Sequence, residues 1–240
     1  MMTKFTEHFF HAEDGLRIYY RRYGPEIGEQ TPVLCLSGLT RNSKDFHRTA
    51  VRLSEKRKVL AMDYRGRGNS DRDQNPYNYI PPTYLNDIRH LLTLESIHTV
   101  IVIGTSLGGL LAMGMAVMNP KLLRGVILND IGPELANSGR ERIIEYIGTI
   151  TSPPNWDAAV SELKAKFPNL SLQTDEDWRF AAKGTYRVDA SGIFHPDWDV
   201  NLVKPLLKAN TLPDLWPIFR ALSGVPVLGL SLKHISETTR

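Results

Sequence analysis

The residue best placed for chemistry is Ser106, at the centre of a G-T-S-L-G sequence that spans residues 104–108. A run of β-prone residues, 99–103, comes directly before it, and an apolar segment typical of a helix, 110–118, comes after it. On such a sharp strand-to-helix turn the serine hydroxyl stands clear of the sheet, beside helix N–H groups that stabilise negative charge. The pattern predicts that Ser106 is a nucleophile that attacks an acyl carbonyl.

The same turn has two other interpretations. A Gly-rich turn between a strand and a helix is common and need not be catalytic, but the strand before it and the helix after it favour catalysis. Phosphate binding is disfavoured because the chain lacks G-x-x-x-x-G-K-S/T. The first strand-to-helix turn, at residues 37–39, also lacks G-x-G-x-x-G.

A serine that transfers acyl groups needs two N–H donors for the oxyanion that forms during attack. One candidate is the backbone N–H of Leu107, the residue directly after the serine. The second donor comes from the loop after the third strand, which begins S-G-L-T at residues 37–40. Its Leu39 N–H is the candidate, with a plain turn as the alternative for this segment.

Strand-like and helix-like segments alternate from residue 32 to residue 129, after a hairpin signal at Asp14-Gly15. The predicted strands are residues 32–36, 59–62, 99–103, 125–129 and 225–230, and all of them except 125–129 are expected to be buried. This alternation predicts an α/β fold with a mainly parallel sheet and helices on both faces.

The alternation stops after residue 131. Between residues 132 and 205 we find helices and loops but no buried strand, and Asn155 and Thr174 are suited to cap two of the helices. Because the α/β pattern resumes afterwards, we expect this region to be a helical cap inserted into the core. The predicted organisation is core from 1 to 131, cap from 132 to 205, and return of the core from 206 to 240.

Three elements together resemble the α/β-hydrolase superfamily, in its lid-bearing branch of serine esterases. The first is G-T-S-L-G at 104–108, and the second is D-Y-R-G-R-G-N-S at 63–70, which matches that family's D-x-R-G-x-G-x-S turn. The third is Ser37-Gly38, where the family usually has His-Gly. The resemblance covers about residues 16–230 and implies the α/β-hydrolase fold, with a lid after the sixth strand.

In activity, the resemblance implies hydrolysis of a carboxylic ester through an acyl-enzyme on Ser106. Hydrolysis of carbon–carbon bonds or of lactones is the alternative that the same constellation supports. The cap sets the substrate, and four of its aromatic residues either line an acyl site or pack within the cap. They are Trp156, Phe167, Trp178 and Phe180.

In that family the catalytic acid usually follows the seventh strand, and the histidine follows the eighth. Only residues 231–240 come after the seventh predicted strand here, so we expect the eighth strand to be missing and the chain to be truncated. These ten residues also resemble a translated sequencing adapter, which makes them a candidate foreign tail.

Four residues are candidates to replace the missing acid and base. Glu237 or Asp130 would act as the acid, and His195 or His234 as the base, while ordinary surface or hinge roles are the alternative for each. We therefore expect impaired activity from this chain, with Ser106→Ala changing the rate little. The contrasting hypothesis is an inactive fragment or a non-catalytic ligand-binding protein.

The composition argues against several other classes of function. The 240 residues are 42% hydrophobic and 23% charged, an ordinary globular balance, and the net charge of +3 is not gathered into a basic block. The single cysteine, Cys35, excludes an internal disulfide and a cysteine-based metal site. We expect no cofactor, no metal and no nucleic-acid or membrane partner, a small-molecule ester or related acyl substrate, and a cytoplasmic location; the oligomeric state is left open.

Overall fold

The computed structural model describes residues 5–26, 28, 30–134, 137–149, 151–168, 170, 172–208 and 213–230. Its strands are β1 Thr6–His11, β2 Arg17–Tyr23, β3 Val33–Leu36, β4 Val59–Met62, β5 Val100–Thr105, β6 Leu123–Asn129, β7 Tyr186–Val188, β8 Phe194–Pro196 and β9 Val227–Leu230. Its α-helices are α1 His47–Leu53, α2 Pro81–Leu94, α3 Leu107–Met118, α4 Asn137–Gly148, α5 Trp156–Lys166, α6 Asp175–Thr185, α7 Val203–Lys208 and α8 Trp216–Arg220.

The main sheet has seven described strands in the order β1-β2-β4-β3-β5-β6-β9. The pairs β1–β2 and β2–β4 are antiparallel, and every other neighbouring pair is parallel. The hairpin of β1 and β2 turns at Gly15, whose φ of +83° is one that glycine adopts without strain. The predictions of a hairpin and of a mainly parallel sheet are confirmed.

Helices cover both faces of this sheet, also as predicted. Leu34 and Leu36 of β3 belong to a core that contains α2, α3 and α8 side chains, whereas Val33 and Cys35 belong to a second core with α1. Successive residues of a strand point to opposite faces, so a run of four apolar residues fits a strand that is covered on both sides.

The region predicted as a cap, residues 132–205, contains α4, α5 and α6. The two residues predicted to be helix N-caps, Asn155 and Thr174, precede α5 and α6. Asn155 accepts the Ala158 N–H, and Thr174 forms a reciprocal pair of hydrogen bonds with Asp177. The region has an apolar core of its own, which includes Trp156, Phe167 and Trp178. This packing favours the structural interpretation of those aromatic residues over an acyl site.

One strand pair was not foreseen, and one expectation about a strand was wrong. Residues 132–205 contain an antiparallel hairpin, β7 and β8, whose strands of three residues are too short to produce a readable alternation. The strand at 225–230 was expected to be buried, but the side chains of β9 are exposed, as shown by Leu228 at 53%. Among the described residues β9 has β6 as its only sheet neighbour, so it lies at an edge.

The expected absence of an eighth strand concerns residues 231–240. These residues, with His234 and Glu237, lie outside the described residues. The boundaries of the cap at 132 and 205 stay predictions.

Helix α3 begins in close contact with β3. A Cβ atom added at Gly108 would overlap the carbonyl oxygen of Leu36 and lie 2.8 Å from its Cβ. Gly108 is buried, so no open space relieves this contact. Glycine at this position therefore allows the helix to start directly against the strand.

We predict that Gly108→Ala lowers the free energy of unfolding by at least about 1–3 kcal/mol, because the helix must move away from the sheet. Gly148→Ala is the control, since a Cβ at Gly148, the last residue of α4, meets nothing within 4 Å. Its effect should stay within about 0.5 kcal/mol. Urea unfolding of both variants checks the prediction, and equal effects would contradict it.

Candidate active site

Ser106 occupies the turn between β5 and α3, where the sequence predicts it. Its φ of 50° and ψ of −112° lie outside the regions that non-glycine residues ordinarily adopt. The N–H of Ser106 donates to the Asn129 carbonyl at 2.9 Å, and its carbonyl accepts the Gly109 N–H at 2.9 Å. These two bonds hold the strained turn in place, and Ser106 is half-buried.

The loop after β3, residues 37–41, lies beside this serine, and we name it the oxyanion loop after its candidate donor, Leu39. A Cβ at Gly38 would lie 3.9 Å from the Ser106 Cβ. The Gly38 carbonyl accepts the Arg41 N–H at 3.1 Å. Because the C=O and N–H of a trans peptide point in opposite directions, the Leu39 N–H points out of this turn, which suits a donor to a ligand.

The second candidate donor, the Leu107 N–H, belongs to the first residue of α3. The first N–H groups of a helix have no acceptor within the helix, and the helix dipole adds partial positive charge there. Leu107 is also adjacent in sequence to Ser106. Both candidate donors therefore come from chain segments that flank the serine.

The turn after β4, residues 63–70, donates two hydrogen bonds to the oxyanion loop. The Tyr64 hydroxyl donates to the Ser37 carbonyl at 3.1 Å, and Arg67 Nε donates to the Leu39 carbonyl at 2.8 Å. The D-x-R-G-x-G-x-S pattern was recognised in the sequence, but this supporting role was not. The partners are distant along the chain, and no local pattern indicates them.

Asp63 organises the same turn. It is 1% exposed, and its carboxylate accepts the Ser43 N–H at 2.7 Å and the Asn69 N–H at 2.9 Å. Burial raises the pKa of Asp63 above its ordinary value, although these two N–H groups oppose the shift. Its hydrogen bonds are those of a structural carboxylate.

Asp197, directly after β8, connects the cap region with the core. Its carboxylate accepts hydrogen bonds from Asn42 Nδ2 at 3.0 Å and from Lys44 Nζ at 2.6 Å. Its backbone carbonyl accepts the Gly68 N–H at 2.9 Å, and Asn42 Nδ2 also donates to the Gly184 carbonyl at 3.0 Å. These contacts anchor the end of the cap region next to the oxyanion loop.

The described residues do not assemble a nucleophile and base pair. Within them, no side chain forms a hydrogen bond with the Ser106 hydroxyl. His195 Nε2 lies 2.7 Å from Asp189 Oδ2, and the hydrogen bond from His195 lowers the pKa of Asp189. Asp130 is exposed, with a φ of 55° and an N–H that donates to the Leu230 carbonyl, which fits a hinge at the end of β6.

Within the described ranges, no three His, Cys, Asp or Glu side chains converge in a way that would hold a metal ion. Cys35 is buried in β3, and this burial raises the pKa of its thiol. None of the helices that the structure describes is both long and apolar enough to cross a membrane.

We predict that Asn42→Ala lowers the free energy of unfolding by about 1–3 kcal/mol, because the Gly184 carbonyl loses the Asn42 donor and the buried Asp197 carboxylate keeps only its bond from Lys44. Hydrogen exchange at the Asp197 and Gly68 amides should accelerate. Asn86→Ala is the control, since Asn86 makes its hydrogen bonds at the surface. Equal destabilisation by both changes would show that Asn42 is not an anchor.

Comparison with known proteins identifies the family. The family model described as alpha/beta hydrolase fold matches residues 31–206. The 3-hydroxybutyrate-oligomer hydrolase of Cupriavidus necator is 30% identical over 221 residues, which cover 88% of this chain and 75% of that protein. An esterase of M. tuberculosis, 21% identical with a TM-score of 0.71, covers 95% of this chain and 75% of that chain, and it shows the fold alone.

A crystal structure of an alpha/beta hydrolase from Novosphingobium aromaticivorans is 35% identical, with a TM-score of 0.89. The match covers 99% of this chain and 87% of that chain. This coverage gives no support to the expected truncation. The chain belongs to the α/β-hydrolase fold family.

Proposed function

We propose that this protein is a carboxylic-ester hydrolase in which Ser106 is the nucleophile. The observation that carries the proposal is the backbone of Ser106, a non-glycine residue held at a φ of 50° between β5 and α3. Such strain costs on the order of 1–3 kcal/mol and persists where the surrounding structure enforces it, often at active sites. Here it accompanies a hydroxyl at the start of a 12-residue helix.

The proposed reaction follows from this arrangement. Ser106 Oγ attacks the ester carbonyl carbon while a base accepts its proton, and the N–H groups of Leu39 and Leu107 stabilise the oxyanion. The alcohol leaves with that proton, and water then attacks the acyl-enzyme to release the acid and restore the serine.

We propose that the base comes from outside the described residues. Of the described histidines, His8 and His11 lie on β1, four strands away from β5, a separation of about 19 Å. His98 precedes β5 and so lies at the opposite end of that strand from Ser106. His195 is bound to Asp189. His47 starts α1 with its Nδ1 3.2 Å from the Tyr23 hydroxyl oxygen, and His90 lies in α2.

The proposed substrates are carboxylic esters with short acyl groups. The name of the relative from Cupriavidus necator makes a 3-hydroxybutyrate dimer the first natural compound to assay. A p-nitrophenyl butyrate assay measures the same chemistry with a better leaving group.

We predict that a fluorophosphonate probe labels Ser106, and that Ser106→Ala abolishes labelling and lowers kcat/KM by at least about a hundredfold. Ser161→Ala is the control, because the Ser161 hydroxyl bonds its own helix α5 at the surface. It should leave labelling and rate unchanged. Equal rates for the unmodified protein and Ser106→Ala are the result expected of a truncated, inactive chain, and they would defeat the proposal.

We predict that His195→Gln leaves kcat within about twofold of the unmodified protein, since loss of a catalytic base costs about a hundredfold or more. The same change should raise the pKa of Asp189 towards its ordinary value, because the hydrogen bond that lowers it is removed. NMR titration and the ester assay measure the two effects. A fall of a hundredfold would instead make His195 the base.

A further inference from the structure

We infer that Arg67 is a positioning residue that fixes the oxyanion loop and places positive charge beside it; this inference rests on the function proposed above. Arg67 lies in the turn after β4 and is 1% exposed. Its Nε donates to the Leu39 carbonyl at 2.8 Å, so the side chain reaches the loop that supplies a candidate oxyanion donor.

Arg65 and Arg67 lie in the same turn, but their positive charges have different partners. Arg65 is buried against three carboxylates, those of Asp14, Asp73 and Asp87, at 2.6–2.7 Å. Arg67 has no carboxylate partner within the described residues. A buried cation without a counter-ion is costly, so its presence here calls for an explanation beyond the packing of the turn.

Neutral groups hold the Arg67 guanidinium instead. Nη1 donates to the Arg65 carbonyl at 2.8 Å and to the Tyr84 hydroxyl at 2.7 Å. The rings of Tyr64, Tyr79 and Tyr84 lie 4.8–5.6 Å from Cζ, within the range of a cation–π contact. These partners orient the guanidinium, but none of them is a carboxylate that would balance its positive charge.

The Arg67 guanidinium has a further donor group, Nη2, on the side of the oxyanion loop. Nη2 is buried and has no hydrogen-bond partner in the part of the chain that the structure describes. In the fixed fork of a guanidinium, Nε and Nη2 share one edge, and here Nε points to the Leu39 carbonyl. The edge of the Arg67 guanidinium that contains Nε and Nη2 therefore faces the oxyanion loop.

The carbonyls of three successive loop residues are thus fixed. The Tyr64 hydroxyl holds that of Ser37, the Arg41 N–H holds that of Gly38, and Arg67 holds that of Leu39. With the peptides on both sides of Leu39 fixed, its N–H has one direction before substrate binds. A preorganised donor beside a fixed positive charge stabilises an oxyanion more than it stabilises the neutral ester. Arg67 acts through Leu39 and so affects kcat more than KM.

The test uses Arg67→Met, which removes the charge and the donors, and Arg67→Lys, which keeps the charge but loses the fork. Rates with p-nitrophenyl butyrate are normalised to the active serines counted with the fluorophosphonate probe. We expect Arg67→Met to lower kcat by about tenfold or more with KM within about twofold, and Arg67→Lys to fall between it and the unmodified protein. Affinity for a trifluoromethyl ketone, which forms a tetrahedral adduct with the serine, should fall in parallel with kcat.

Arg21→Met is the matched control for a purely structural effect. Arg21 donates to the Tyr19 hydroxyl at 3.1 Å and lies over the Phe5 ring at 4.3 Å, on β2 and away from the oxyanion loop. It should lower stability without changing kcat per active serine. An equal fall in kcat per active serine for Arg21→Met and Arg67→Met would overturn the inference.

The remaining outcomes separate this inference from the proposed function. Unchanged kcat in both Arg67 variants, with hydrolysis still dependent on Ser106, would defeat the inference alone. Hydrolysis that does not depend on Ser106 in the unmodified protein would defeat the proposed function and the inference with it. Where Arg67→Met does not fold, Arg67→Lys decides: a fall in kcat of about threefold or more at unchanged KM supports the inference, and a smaller change overturns it.

Discussion

The close approach of α3 to the sheet is the constraint on which the site depends. The helix starts so near β3 that Gly108 has no room for a Cβ beside the Leu36 carbonyl. The chain must therefore turn within one residue of the end of β5, and Ser106 takes the strained backbone that this turn requires. The strain, the orientation of the serine and its position at a helix N-terminus are consequences of one packing contact.

The turn after β4 extends this constraint to the neighbouring loop. The Asp63 carboxylate accepts the backbone N–H groups of Ser43 and Asn69. Arg65 forms ion pairs with three carboxylates, and Arg67 donates a hydrogen bond to the oxyanion loop. Asp197 attaches the cap region to the same turn through the Gly68 N–H. One eight-residue segment thus contacts the loop beside the serine and the end of the cap region.

The sequence indicated the features that depend on local pattern. Continuous apolar runs predicted β3 and β4, and the glycines around Ser106 predicted a sharp turn, because each is determined by neighbouring residues. Features that depend on distant partners were missed. Asn42 and Asp197 are 155 residues apart, and Arg67 is 28 residues from Leu39, so no window of sequence shows either contact. The exposed face of β9 was missed because an apolar run looks the same at the edge of a sheet as in its middle.

A crystal structure of the protein after reaction with a trifluoromethyl ketone would test directly whether Ser106 and its two candidate donors form the reactive centre. We predict a tetrahedral adduct on Ser106 Oγ, whose oxyanion lies about 2.7–3.1 Å from the backbone nitrogens of Leu39 and Leu107. An adduct on another residue, or an oxyanion that faces solvent without these two donors, would contradict it.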